Sequence, residues 1–277
     1  IAPVNPCKQD ICAKELDIPS LLIINPFDLS EMNKVPYENR EKAFLSACNF
    51  KAMKHMDDLI RAIPYMPKDV KKYVGGGGIE QCYMSSEDKC KPQYMINGTR
   101  IWDRAIDFGM EYLGFLQTSD RIAYSDKVRV VVDPSYVSFY KDRGGAYTRV
   151  FVEALICGCI PVVREEMMDT TLFHPNVNFF MVPAGSTDRQ FADIVTYACN
   201  VSEDQYKTMT INSYTKLNFL DRKTVAQEFI HLYTKAKVMA PSGRVSDETH
   251  MKSRAALKDF FGISTKPATT GVNKWLK

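Results

Sequence analysis

No run of eighteen consecutive apolar residues occurs in this 277-residue chain, which excludes a membrane-spanning helix of ordinary length. The opening Ile1-Ala2-Pro3 carries neither an initiator Met nor a charged-then-apolar leader pattern, as expected of a fragment or a processed chain. A large charge of one sign is also lacking. The 36 Lys and Arg against 33 Asp and Glu leave a formal +3, which suits an anionic ligand but does not by itself indicate nucleic acid. The eight cysteines (Cys7, Cys12, Cys48, Cys82, Cys90, Cys157, Cys159 and Cys199) contain no CxxC pair. Zinc needs four converging ligands, and only Cys157-Gly-Cys159 is closely spaced, so no metal site is expected. Cys48, Cys157 and Cys199 lie in apolar runs and read as buried, reduced thiols of a cytoplasmic protein. Gly75 to Gly78 has neither GxGxxG spacing nor a Walker lysine, and no internal repeat is present. The sequons at Asn97 and Asn200 are triplets that arise by chance.

What is present is alternation. Ala43 to Cys48 reads as a strand, and residues 54–63 place Met56, Leu59, Ile60 and Ile63 on one helical face until Pro64 and Pro67 stop it. Lys71 to Val74 reads as a strand, Ile101 to Met110 as a helix and Glu111 to Phe115 as a short strand. Ser119 to Tyr124 reads as one or two helical turns, and Val128 to Val132 as a buried strand. Tyr147 to Cys157 is predicted helical, Ile160 to Val163 and Phe179 to Val182 extended, and 187–198, 203–218 and 222–238 helical. Strands separated by helix-length segments imply an α/β, Rossmann-like parallel sheet with helices on both faces, covering 41–238. Residues 1–40, with one apolar run at Leu21 to Ile24, read as a lead-in, and 239–277 as a basic tail.

Ligands of such sheets sit at the carboxyl ends of the strands. Gly144 and Gly145, flanked by Arg143 and Thr148, precede a helix whose free N–H groups suit a phosphate; a simple flexible loop is the alternative. Glu153 lies in that helix amid Val150, Phe151, Val152, Leu155 and Ile156. A carboxylate there needs a partner, either a ribose diol or a basic side chain. Gly158 ends the helix as a C′ glycine, and Pro161 opens the next strand. Asn49 to Lys54 sets Lys51 and Lys54 directly after a strand; a phosphate would offset the opposition of Lys54 to the next helix's dipole, and plain solvated lysines are the alternative.

The order of basic residues before KHMDDLIRAI, then YVGGGG, EYLGFL, VRVVVDPS, GG-x(7)-EAL and CGCIPVV is specific. It resembles the C-terminal, donor-binding domain of GT-B-fold retaining glycosyltransferases over about residues 42–235. The shorter stretch from Cys157 to Val162 is similar to phage DNA α-glucosyltransferases. The resemblance implies a nucleotide-sugar-dependent hexosyltransferase with a UDP- or GDP-sugar as co-substrate and no prosthetic group. Glu153 would hold the ribose hydroxyls, Lys54 the diphosphate, Gly144 to Thr148 sugar and phosphate, and Gly114, Phe115 and their neighbours up to Gln117 the nucleobase. Lys54 and Gly145 stand at the catalytic positions. Asn49 replaces the family's phosphate-binding arginine, with Lys51 as its substitute, and Gly145 replaces the sugar-facing glutamate. The family places an acceptor domain ahead of this one, so residues 1–40 imply a missing acceptor domain or a partner chain. Two classes stay open: a sugar-transferring enzyme, with DNA as one acceptor and the host cytoplasm as the setting if viral, and a non-catalytic binding or assembly module.

Overall fold

The structure, a computed structural model, describes residues 29, 35–51, 54–77, 94–136, 148–168, 170, 172–227 and 230. The elements named below lie in one unit, Asn25–Val225; the other, Ile1–Ile24 with Ala226–Lys277, falls almost wholly outside the described residues, as does the strand expected at Leu21 to Ile24. In chain order they are β1 (Glu41–Ala47), α1 (Met56–Ala62), β2 (Lys71–Gly75), β3 (Met95–Ile96), β4 (Thr99–Arg100), α2 (Ile101–Asp107) and β5 (Met110–Tyr112). There follow α3 (Thr118–Lys127), β6 (Val128–Asp133), α4 (Arg149–Ile156), β7 (Ile160–Arg164), β8 (Phe180–Val182), α5 (Asp188–Cys199) and α6 (Glu203–Leu217).

Six strands form one sheet in the order β5-β2-β1-β6-β7-β8, with every neighbouring pair parallel. The chain builds outward from β1 through β2 to β5, returns to the other side of β1 as β6, and continues through β7 to β8. The reversal between β1 and β6 splays the connections at their carboxyl ends apart and leaves a crevice there.

Period-two alternation sorts the strand side chains. Phe44 faces one apolar cluster with Val130, Val132, Val162 and residues of α1, α2 and α5; Ala43, Leu45 and Ala47 face another with Val131 and residues of α4. Helices therefore cover both faces. Met56, Leu59, Ile60 and Ile63 are each at most 1% exposed, so each contributes roughly 2 kcal/mol by leaving water.

Local signals set the boundaries. Gly158 at φ +70° ends α4: its N–H reaches Leu155 O at 3.0 Å, and Cys159 N reaches Ala154 O at 2.8 Å. This paired closure satisfies two orphan carbonyls. Pro161 is the second residue of β7, before the β8 ladder begins at Val162. The helix expected over 101–110 is shorter, because Gly109 at φ +83° turns the chain and Met110 opens β5. The one or two turns expected at 119–124 are instead a ten-residue helix, opened where Asp120 accepts the Gln117 N–H at 3.0 Å. Asn97 and Gly98, at φ 50° and 76°, form the two-residue turn of the β3–β4 hairpin, an Asn-Gly signature unread in the sequence. Residues 222–227 are helical, and the rest of that predicted helix lies outside the described residues apart from 230.

Arg40, 3% exposed and directly ahead of β1, joins the end of α3 to the end of α4. Its guanidinium donates to Ser125 O (2.8 Å), Val128 O (2.7 Å) and Cys157 O (2.5 Å), so one cation serves the carboxyl ends of two helices. The relative placement of α3 and α4 fixes the site below.

Candidate functional site

A cleft of about 330 Å³ opens at the carboxyl ends of β1 and β2. Its floor comes from strand exits stitched together by backbone bonds: Cys48 N to Gly75 O (3.1 Å), Phe50 N to Gly77 O (2.8 Å) and Gly76 N to Gly114 O (2.8 Å). Gly76, at φ +150°, admits no side chain, since a Cβ would fall 1.8 Å from Cys48 O. The glycine run thus serves close backbone approach at the cleft floor.

Glu153 projects from α4 into this cleft with its side chain 16% exposed. Oε1 accepts from Arg149 Nε at 2.7 Å and from Arg121 Nη2 at 3.2 Å; Oε2 accepts from Arg121 Nε at 3.3 Å. Of the two partners open from sequence, ribose or basic side chain, the structure shows the basic one, and two arginines supply it. Arg149 comes from the same helix one turn earlier; Arg121 comes from α3 across the cleft. Lys54, just ahead of α1, lines the same cleft, and its ammonium has no hydrogen-bond or ion-pair partner among the described residues. The described lining carries three cations and one carboxylate, a balance that attracts an anion. Each cation sits at the amino end of a helix, where the dipole disfavours it unless negative charge is near.

Cys48, expected from sequence to be buried, is only partly so and lines the cleft wall; desolvation there still pushes its thiol up to about 12, and the Asp133 carboxylate adds to this. Its reactive thiolate form is thereby disfavoured near neutral pH. Asp133, at the end of β6, accepts from Thr148 Oγ1 at 2.7 Å and from Ser135 N at 3.1 Å. The same threonine oxygen accepts the Phe151 N–H at 3.1 Å, so Thr148 caps α4 and ties it to the sheet.

A second charged group lies by α1. A His55 nitrogen and oxygens of Asp57 and Asp58 lie within 4.8 Å of one another. Arg61 pairs with Asp57 at 3.0 Å and also with Asp58, while Arg164 meets Asp58 at 2.9 Å. Burial still holds Asp58 above the usual carboxylate range. Two guanidiniums oppose a metal ion here, and the arrangement is an ion-pair network. Tyr136 stacks on His55 at 3.5 Å and carries Arg164 at 4.3 Å over its ring, which anchors the chain just after β6.

Of the residues predicted from sequence, Asn49, Lys54, Phe115 and Glu153 line the one cleft. Phe115 is 64% exposed at its mouth, and Gly114, at φ +70°, gives its carbonyl to Gly76. Exposed Lys51 and the capping Thr148 are not part of the described lining. Gly144, Gly145 and Gly78 lie outside the described residues. Cys157, Cys159 and Cys199 are buried free thiols; Cys7, Cys12, Cys82 and Cys90 lie outside the described residues. Arg121 and Arg149 were not singled out from sequence. The available signal was an arginine in the opening turns of a helix, against its dipole.

No protein-family model matches the chain, and no curated protein does. Solved structures match its fold. Anabaena HepE, in complex with UDP and glucose, superposes with a TM-score of 0.60 at 18% identity, covering 78% of this chain and 57% of that one. A variant of S. aureus TarM, in a complex that includes UDP, gives 0.63 at 14% identity over 84% of this chain and 43% of that one. The C-terminal domain of LpcC, a glycosyl transferase group 1 family protein of Francisella tularensis, gives 0.50 at 15% identity over 69% of this chain and 96% of that domain. This chain thus spans about half the length of the full-length proteins it resembles. The architecture is an α/β, Rossmann-like parallel sheet flanked by helices, the fold that these GT-B glycosyltransferase structures share with it.

Proposed function

We propose that the cleft binds the nucleoside diphosphate part of a nucleotide-sugar donor, and that the chain is the donor-binding part of a glycosyltransferase. One observation carries this reading: a carboxylate mostly shielded from water stands among three cations in the cleft at the strands' carboxyl ends. A ribose offers two adjacent hydroxyl donors to that carboxylate. The diphosphate falls to Lys54 and the arginines, and exposed Phe115 offers an aromatic face to the base. The UDP bound by HepE and TarM supports a UDP-sugar as the donor, with a GDP-sugar as the alternative.

In the reaction, negative charge grows on the leaving diphosphate as its bond to the sugar breaks. Lys54, just ahead of α1, and the arginines of α3 and α4 stabilise that charge from their places around the bound donor. No prosthetic group is needed for this step. Transfer of a hexose with retention, and DNA as an acceptor, are the finer parts of the proposal. Product anomers read by NMR test the first, and label transfer to duplex DNA tests the second. Acceptor-side groups belong to a further domain or a partner chain in this proposal, which the span of about half the matched proteins favours.

A binding module without transfer is the second reading. The observation favouring it is Gly145, which leaves that position without a carboxylate. Titration with UDP, GDP, UDP-glucose and GDP-mannose, followed by donor hydrolysis, separates the two. Binding with slow release of the free sugar supports the enzyme, binding without hydrolysis or transfer supports the module, and no binding defeats both.

A further inference from the structure

Arg121 is the cleft residue whose place is hardest to explain by structure alone. It reaches from α3 to α4 to hold a carboxylate that Arg149 already pairs at 2.7 Å. Its own contacts are longer: 3.3 Å from Nε to Oε2, 3.2 Å from Nη2 to Oε1, and 3.2 Å from Nη2 to Thr118 Oγ1. Its side chain is 23% exposed within the cleft, against 67% for Arg149, so it is the better desolvated of the two.

A carboxylate offers about four acceptor sites, and three N–H groups occupy Glu153. A diol that donates two hydrogen bonds therefore has to displace at least one of them. The long Arg121 contacts yield before the short Arg149 contact, because hydrogen bonds weaken as they lengthen. A guanidinium released from Glu153 inside this cleft needs an anion at once, and a diphosphate beside Lys54 supplies two phosphates for its fork.

We infer that Arg121 is a diphosphate ligand that couples recognition of the ribose to recognition of the phosphates. The inference rests on the nucleotide-binding reading above and deepens it. A nucleoside alone pays to displace Arg121 and gains nothing for the freed cation. Inorganic pyrophosphate alone must draw Arg121 from Glu153. A nucleoside diphosphate makes one exchange serve both ends, so the cleft selects the intact ligand over its parts.

The test is calorimetric titration of the full chain, wild type and Arg121→Gln, with UDP, uridine and inorganic pyrophosphate. The expected result is that Arg121→Gln weakens UDP at least tenfold while uridine binds as well as before or up to severalfold tighter. Arg121→Lys keeps the charge without the fork and recovers part of the UDP loss. It also serves as the reporter if the Gln variant does not fold, UDP then weakening relative to uridine. Equal weakening of UDP and uridine overturns the inference, because it marks Arg121 as only a support for Glu153. An unchanged ratio of UDP to uridine affinity overturns it too. A wild type that binds UDP with such a ratio leaves the nucleotide reading intact, whereas a wild type that binds neither UDP nor GDP defeats both.

Discussion

Replacing Glu153 by Gln keeps the shape of the side chain and removes its charge. Each ribose hydroxyl donating to an ionised acceptor is worth about 1.5–3 kcal/mol before any exchange is counted. The carboxylate gives up guanidinium contacts of 3.2–3.3 Å in return. A net of about 1 kcal/mol per hydroxyl remains, so two hydroxyls give about 2 kcal/mol, or roughly thirtyfold in affinity. The fold should tolerate the change. The Arg149 pair is exposed on its arginine side and one turn apart in a helix, worth about 0.3–0.5 kcal/mol, and the Arg121 pair brings the stability loss to about 1 kcal/mol. The assay is calorimetry with UDP and with its 2′-deoxy analogue. Wild type should prefer UDP by about fivefold, whereas Glu153→Gln should bind UDP roughly thirtyfold more weakly and lose the preference. Binding of UDP within threefold of wild type, or an undiminished preference, refutes the placement of ribose on Glu153.

Three further outcomes follow from the framework around the cleft. Gly76→Ala puts a Cβ 1.8 Å from Cys48 O, so it should destabilise the chain by about 3 kcal/mol or more in urea unfolding, while Gly98→Ala, with open space, should cost clearly less. Arg40→Met strips buried carbonyls at Ser125, Val128 and Cys157 of a charged donor, and should cost about 3 kcal/mol or more by the same measurement. Cys48 ionises near 12 rather than 9.0, so peptide-mapped alkylation at pH 9 should run far slower than for a free thiol and accelerate up to pH 12. By linkage the raised thiol stabilises the fold fully below its unfolded value, and that contribution is lost as pH rises from there through the folded value.

Much of this molecule was written in short-range pattern. The valines of β6, the apolar stripe at Met56, Leu59, Ile60 and Ile63, and the Gly158 turn each follow from local stereochemistry, and the fold class follows from their alternation. Strand order is a long-range property, and β1 pairing with both β2 and β6 has no local signature. The cleft divides the same way. Glu153 announced itself because a carboxylate interrupts an apolar helix. Arg121 did not, because it reaches its partner across 32 positions and two elements. The Thr148 hydroxyl is bound to Asp133 and Phe151 N, a capping role that sequence does not separate from a phosphate contact because both draw on the same residue types. The Asn97-Gly98 turn was legible in principle, but flanking strands of two residues gave no alternation to frame it.

The most direct test of the central claim is a crystal structure of the chain grown with UDP. Density for a ribose on Glu153, with the diphosphate within hydrogen-bond reach of Lys54 and Arg121, is the predicted result. Saturating UDP with no density in that cleft, or a nucleotide bound elsewhere while Arg121 still holds Glu153, would contradict the account.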